Sequence, residues 1–483
     1  MQLSNATLAQ LPASVEAPGY PRAQVEAGIV HLGLGAFHRA HQAMYTDRLL
    51  ATGERNWGIV GAGVVSADIK AALAPQDGLY VLAERGAGRE KLRVIGSIVE
   101  VLGGPEDAET LLARMSATST RIVSLTVTEK GYFLDPGSDR LRIEDAAIAA
   151  DLAHPEAPKT APGLIVEALK RRRAAAIPPF TVLSCDNLPH NGRLAKAAVL
   201  SFAAELDSGL AAWIEANVSF PCTMVDRITP ATTDADRARL LDATGVDDAW
   251  PVLTEEFCQW VIEDRFTLGR PDWDKAGAIF SDEIEAWENM KLQCLNGAHS
   301  CLAYLGQITG RATVAEAMTV PLITSILDQL WQEIREVLKA PQGVDTAAYV
   351  ESLKQRFANP SLAHRTAQIA SDGSQKLPQR LLAPLRERIK KGLDSPAIAT
   401  ALAAWMHYVV KIAHTPDGAL VDPLAATILA QAGRSPVVEE TVENLLAIES
   451  LFGADLASSL EFRFAVIAKY RQLAMNPDVS TAV

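Results

Sequence analysis

Five short runs constrain the first half of the chain more than any other feature. "GIVHLG" (28–33), "NWGIVG" (56–61), "RIVSLTVTE" (121–129), "FTVLSCDN" (180–187) and "FPCTMVDRI" (220–228) are rich in β-branched residues and apolar along nearly their whole length. A strand with one wet face alternates polar and apolar side chains. A strand apolar throughout is covered on both faces, as in a parallel sheet with helices on each side. The stretches between the runs, such as 163–173 and 192–206, carry apolar residues at helical spacing. This alternation predicts a doubly wound α/β domain.

The pattern changes after about residue 283. Helical stretches then follow one another at 285–308, 319–339, 345–357, 396–411 and 438–451, with no β-rich run among them. A chain of 483 residues also exceeds what one compact core holds. Two domains are therefore expected: an α/β domain over 1–283 and an all-α domain over 284–483. The basic run Lys170–Arg173 ends a predicted helix and is expected to be a solvated, dipole-complementing helix end.

Net charge is −13, from 45 basic and 58 acidic residues, which disfavours nucleic acid or an anionic membrane surface as partner. An acidic small molecule is not excluded, because a local cluster of arginines can hold one. "MQLSNATLAQ" lacks the basic start and apolar stretch of a secretory signal, and no apolar run approaches the ~20 residues of a membrane span. The expectation is a cytoplasmic protein, monomeric or a small homo-oligomer. Five scattered cysteines form no CxxC pair, and nine histidines form no HExxH motif, so no metal site is expected.

"IVHLGLGAFHRAHQ" puts Gly33 and Gly35 directly after the first strand, with Ala36 and Phe37 opening a helix. In a dinucleotide fold the first glycine permits the tight turn. The second lets a pyrophosphate approach the backbone beside the positive end of the helix. His38 stands where the third glycine of GxGxxG would be, and the alternative is a plain strand–helix turn. After the second strand, "GAGVVSADIK" offers Asp68 and no arginine. An acid there accepts from the adenosine ribose and repels a 2′-phosphate, favouring NAD over NADP.

"KLQCLNGAHS" (291–300) mixes a lysine, an asparagine and a histidine with leucines. On an α-helix of ~100° per residue, Lys291, His299 and Asn296 fall at about 0°, 80° and 140°, on one side. They make either a cleft wall or a partly exposed helix with chance polar residues. Oxidising an alcohol with NAD needs a base for the hydroxyl proton, which a partly buried lysine can supply. The developing alkoxide needs donors such as an asparagine amide. The YxxxK of short-chain dehydrogenases and the cysteines of zinc alcohol dehydrogenases are both missing.

The sequence resembles the mannitol dehydrogenase family of polyol-specific long-chain dehydrogenases. The family's lysine–five–asparagine–three–histidine spacing is met by Lys291, Asn296 and His299. "TVTEKGY" (126–132), "SCDNLPHNG" (184–192), "MVDRITP" (224–230) and "GRPDWDKAG" (269–277) resemble its blocks in the same order. The resemblance implies a Rossmann-type domain, a helical C-terminal domain, an active site between them, and no metal. By motif, Lys291 resembles the general acid–base, Asn187 and Asn296 the oxyanion donors, and His299 a ligand of a substrate hydroxyl. Glu129 resembles the acid that passes protons to solvent, Asp226 a supporting acid, and Lys376 a lysine near the substrate.

Within the family, "NPSLAHRTAQIASDGSQKLPQRLLAP" (359–384) resembles the fructuronate reductases, which interconvert D-fructuronate and D-mannonate. "DNLPHNG" and "DDAWPV" lean toward the mannitol 2-dehydrogenases. Arg365, Lys376 and Arg380 favour a carboxylate, which pairs well with a guanidinium fork. Arg365 is the first expectation for that contact. A sugar acid is thus the expected substrate, and a neutral polyol the alternative. Two further readings are weighed against these: a relative that has lost activity, and a hydroxyacid dehydrogenase of the phosphogluconate type. The second would space its lysine and asparagine four apart, not five.

Overall fold

The computed structural model describes residues 1–475 apart from 65–66, 87, 136–137 and 363. The chain divides into two compact units, Met1–Glu285 and Ala286–Val483.

The first unit is built on a five-stranded, all-parallel sheet. Its strands are β1 (Ala27–Leu32), β2 (Gly58–Gly63), β3 (Ile98–Gly103), β4 (Ile122–Leu125) and β5 (Thr181–Ser184), in the spatial order 3-2-1-4-5. Side chains alternate between faces. Val30, Leu32, Val60, Val123 and Val182 pack with Leu164, Ile165 and Phe202 of the helices Ala161–Ala174 and Asn191–Leu206. Ile29, Ile59, Ile98 and Ile122 pack on the other face with Met44 and Leu49 of the helix Gln42–Ala51. Both faces are dry, as the unbroken apolar runs predict. The order reverses at β1, which neighbours β2 on one side and β4 on the other. In such sheets this is where ligands bind, beyond the carboxyl ends of the strands.

Three features differ from the sequence reading. The run 220–228 contains a strand, Thr223–Asp226, but it lies outside the parallel sheet and pairs antiparallel with Gln259–Ile262. Strands at Tyr80–Arg85 and Glu90–Ile95 form an antiparallel pair in a separate four-stranded sheet. The basic run is not uniformly solvated. Arg172 is fully buried, its Nη1 donating to the carbonyls of Met115, Ala117 and Thr120 and its Nε to that of Pro178. It ties the segment 115–120 to Pro178 instead of facing water.

In the second unit no strand occurs among the described residues; one isolated bridge joins Thr313 to Arg365. The long helices include Ala298–Ile308, Pro321–Arg335, Thr346–Phe357, Pro396–Ala413 and Leu460–Ala474. Pro396–Ala413 is the one helix, among the described residues, long and apolar enough to cross a membrane by length and composition, and 61% of it is buried inside the protein. The stretch 284–308 is helical throughout but not uniform. An α-helix (Ile284–Met290) passes into a π-helix (Lys291–Gly297) and back into an α-helix. A second π-helix spans Pro378–Leu382.

Candidate active site

The glycine-rich turn leaves β1 at Gly33, whose φ is +96°. A β-carbon there would stand 2.1 Å from the Thr126 carbonyl oxygen, so the turn tolerates no side chain on either ground. The Gly33 and Leu34 amides donate to the Ala62 carbonyl at 2.9 and 3.2 Å, pinning the turn to the end of β2. Gly35 precedes the short helix Ala36–Ala40 with extended backbone, and a β-carbon on it would meet nothing nearer than 3.8 Å. That open backbone fits the approach of a pyrophosphate.

His38, in place of the third glycine, is buried and stacks on His31 with ring centroids 3.4 Å apart. His31 is in turn tied to Ser124 Oγ at 2.8 Å and Thr126 Oγ1 at 2.9 Å. Burial pushes the His31 imidazole down to about 3, and His38 well below its ordinary value for the same reason. The turn therefore rests on neutral stacked rings. Asp68 opens the helix Asp68–Leu73 and is exposed. Val65 and Ser66, ahead of it, lie outside the described residues.

Glu129 and Asn187 leave the carboxyl ends of β4 and β5, and Asp186 ties their loops together. The buried Asp186 carboxylate accepts from the Val127 amide at 3.2 Å, the Thr128 amide at 2.8 Å and the Tyr132 hydroxyl at 2.7 Å. Burial raises its pKa, partly offset by these donors. The tether holds Thr128 at φ +62° and ψ 172°, a conformation nearly confined to glycine. The next residue is Glu129, at the start of a 3-10 turn and exposed, as is Asn187. Asn191 binds the same loop to the three-stranded sheet, donating to the Asp186 and Thr223 carbonyls at 2.9 Å and accepting from the Thr223 amide. Asp226 ends that strand and is buried. Asp186 and Asn191 stand inside "SCDNLPHNG", yet nothing local marks them as tethers.

In the second unit, Lys291, Asn296 and His299 are 7%, 6% and 6% exposed. They lie on or just after the π-turn, so the α-helical wheel places them wrongly. With i→i+5 bonding there are more residues per turn, and residues five apart such as Lys291 and Asn296 come closer to a common face. The turn is held from two sides. Trp331 Nε1 donates to the Cys294 carbonyl at 2.9 Å. Arg380, from the second π-turn, donates through Nη1 to the Asn296 carbonyl at 3.3 Å and Ser300 Oγ at 3.1 Å. Burial lowers Arg380 to about 10, so it stays charged near neutral pH. His299 packs on Phe357 with centroids 4.5 Å apart. Its pKa lies well below the ordinary value, first through burial and then through His364, Arg356, Arg380 and Lys291 nearby. Among the described residues, neither Asn296 Nδ2 nor His299 Nε2 has a hydrogen-bond partner.

The other two expected basic ligands make contacts of their own. Lys376 donates to the Ser371 carbonyl at 2.7 Å and the Ile369 carbonyl at 3.2 Å, capping the short helix Thr366–Ala370. Arg365 is exposed, and its backbone pairs with Thr313. No described contact brings Arg365 or Lys376 to Lys291, Asn296 or His299. No group of three or more potential metal ligands occurs among the described residues.

The model of the mannitol dehydrogenase Rossmann domain matches residues 27–275, and that of the mannitol dehydrogenase C-terminal domain matches 283–474. The chain is 45% identical over 465 residues to a D-mannonate oxidoreductase of Escherichia coli (strain K12), spanning 95% of this chain and 96% of that protein. It is 39% identical over 471 residues to a mannitol 2-dehydrogenase of Pyrenophora tritici-repentis, spanning 96% and 82%. Among solved structures, the ternary complex of Pseudomonas fluorescens mannitol 2-dehydrogenase with NAD and D-mannitol superposes with a TM-score of 0.86 at 41% identity, covering 100% of this chain and 98% of that one. A substrate-free D-sorbitol dehydrogenase gives 0.91 at 34% identity, covering all of both chains.

Proposed function

The chain belongs to the mannitol dehydrogenase family, as an NAD-dependent dehydrogenase of polyols or sugar acids, and from that premise we propose that it interconverts D-fructuronate and D-mannonate. NAD, when bound, supplies the hydride acceptor for the carbinol carbon that becomes C2 of the ketose, which is C5 in mannonate numbering. Lys291 takes the hydroxyl proton as the carbonyl forms, and returns it to the oxygen in the reverse direction. Asn296 supplies a donor to the alkoxide, which its unpartnered amide Nδ2 supports. Asn187 is the second donor, and Glu129, exposed beside it, passes protons to solvent. His299, kept neutral, holds a neighbouring hydroxyl. Asp226 is assigned a supporting role. Gly33, Gly35, Ala36 and Phe37 form the pyrophosphate turn, and Asp68 is the ribose acid.

The observation that carries the sugar acid is Arg380. Its bonds to Asn296 and Ser300 use Nη1 alone, and among the described residues no group accepts from Nε or Nη2. A guanidinium with two donor nitrogens left, bonded to the carbonyl of the oxyanion asparagine, suits a carboxylate. The kinship with a D-mannonate oxidoreductase agrees. The second reading, mannitol 2-dehydrogenase, draws on the solved relative holding D-mannitol. NADH oxidation measured side by side on fructuronate, fructose, tagaturonate and xylulose decides between them. The uronate is expected to give the highest kcat/KM, and a higher value on fructose rejects the assignment. Arg380→Lys keeps the charge and loses the fork. It is expected to lower kcat/KM on fructuronate by about tenfold to a hundredfold, and on fructose by much less. An equal loss on both would remove Arg380 as the carboxylate ligand.

A further inference from the structure

His364 has no part in the reading above, yet the fold sets it against the proposed substrate ligands. Its ring meets that of His299 edge to face, centroids 5.1 Å apart. The bridge that pairs the next residue, Arg365, with Thr313 locks this backbone: the Val314 amide donates to the His364 carbonyl at 2.9 Å, and the Thr366 amide to the Ala312 carbonyl at 3.0 Å. Successive side chains of an extended segment point to opposite sides. Arg365 is exposed and His364 turns to His299.

His364 Nδ1 is buried and, among the described residues, has no hydrogen-bond partner; the same holds for His299 Nε2 and Asn296 Nδ2. A buried polar atom without a partner is costly. Three of them, on side chains from two segments that meet at one pair of rings, point to an oxygen-rich ligand. Burial lowers the pKa of both imidazoles, so both are neutral at pH 7. A neutral imidazole carries one donor and one acceptor. That complements a hydroxyl, which also gives and takes, better than a carboxylate, which only accepts.

We propose that His364 is a specificity-determining residue that holds the sugar hydroxyl one carbon beyond the one held by His299, and so reads the configuration at C4. This rests on the reading that Lys291 and Asn296 hold the reacting oxygen at C2. His299, one turn on from Asn296, then takes the hydroxyl at C3, and the edge-to-face neighbour takes the next. Any ketose with a C4 hydroxyl serves as probe, whether or not it ends in a carboxylate.

The test is the ratio of kcat/KM between C4 epimers, measured on fructuronate against tagaturonate and on fructose against tagatose. The parent is expected to favour one epimer of each pair it reduces. His364→Leu, which removes both nitrogens, should lower kcat/KM on the favoured epimer by about tenfold to a hundredfold, while the other epimer changes by less than about threefold and NADH affinity is kept. His364→Asn retains a donor and an acceptor on a shorter stem and should give an intermediate ratio; it decides the matter if the leucine variant does not fold. Equal losses on both epimers, or a parent that does not distinguish them, would overturn the assignment. A parent that reduces the neutral ketoses and not the uronates defeats the carboxylate reading alone, and His364 is then judged on fructose and tagatose.

Discussion

Gly297 is where the two π-turns meet. A β-carbon on it would stand 2.9 Å from the Arg380 carbonyl oxygen, whereas ordinary contact begins at 3.4 Å, so Gly297→Ala must part the turns by about 0.5 Å. The obstacle is backbone, which cannot swing aside. The glycine itself has ordinary helical angles, φ −61° and ψ −47°, so alanine meets no conformational strain. As a helix former alanine gains ~1 kcal/mol, and overpacking costs ~1–3 kcal/mol. The net loss is then ~0–2 kcal/mol, a fall in Tm of at most about 8 °C. Catalysis is more exposed. Asn296 precedes the substituted residue, and its carbonyl is bonded to Arg380 across the gap being widened. A misplacement of ~1 Å costs about 10²-fold, so half of that implies a fall in kcat of roughly tenfold. The assay is kcat at saturating fructuronate, read with Tm and with NADH affinity by fluorescence titration. The expected result is a lower kcat with NADH affinity unchanged. A folded variant with kcat within twofold of the parent would refute the idea that this contact sets the catalytic geometry.

Lys291→Ala is expected to lower turnover by at least ~10²-fold with NADH binding kept; a kcat within tenfold of the parent would remove the lysine from its role. Asp68→Ala is expected to narrow a preference for NADH over NADPH, and a parent that already prefers NADPH in steady-state assays would show the assignment to be wrong. His31 makes a pH prediction. Its folded pKa, about 3, lies below the unfolded value of about 6.5, so between these limits only the unfolded chain takes up the proton and stability falls as pH falls. His31→Gln should flatten the dependence of unfolding free energy on pH by up to ~1.4 kcal/mol per pH unit between about pH 6 and 4; parallel denaturant titrations of parent and variant would count against it.

Four of the five strands of the parallel sheet are legible in the sequence because burial on both faces leaves no polar position to break the run. β3 escapes notice because "IVEVLG" is interrupted by Glu100 and leaves Val99 and Glu100 half-exposed, whereas β5, at the other edge, is buried throughout. The pair Tyr80–Arg85 and Glu90–Ile95 escapes for a related reason. Glu84, Arg85, Glu90, Lys91 and Arg93 give it a charged character that only the ladder explains. The run 220–228 misleads in the opposite sense. Thr223–Asp226 is as buried as the parallel strands, and an apolar run reports burial, not the direction of the partner.

The candidate site divides along the same line. Residues proposed for chemistry are visible by type and spacing. The residues that aim them are not, because their partners are distant in sequence: Asp186 reaches back to Val127 and Thr128, and Gly297 meets Arg380. Both acts of aiming fall on irregular backbone. Thr128 holds a conformation costing of order 1–3 kcal/mol immediately before Glu129, and the π-turn departs from α geometry from Lys291 to Asn296 and Gly297. Such irregularities persist only where the surroundings over-determine them. Here the determinants are Asp186 and Tyr132 in one unit, and Trp331, Gly297 and Arg380 in the other. A wheel drawn at α-helical pitch therefore misplaces Lys291, Asn296 and His299 relative to one another. The spacing of five between Lys291 and Asn296 is better matched to one i→i+5 turn than to any α-helical stripe, so the motif is itself a record of the π-turn that carries it.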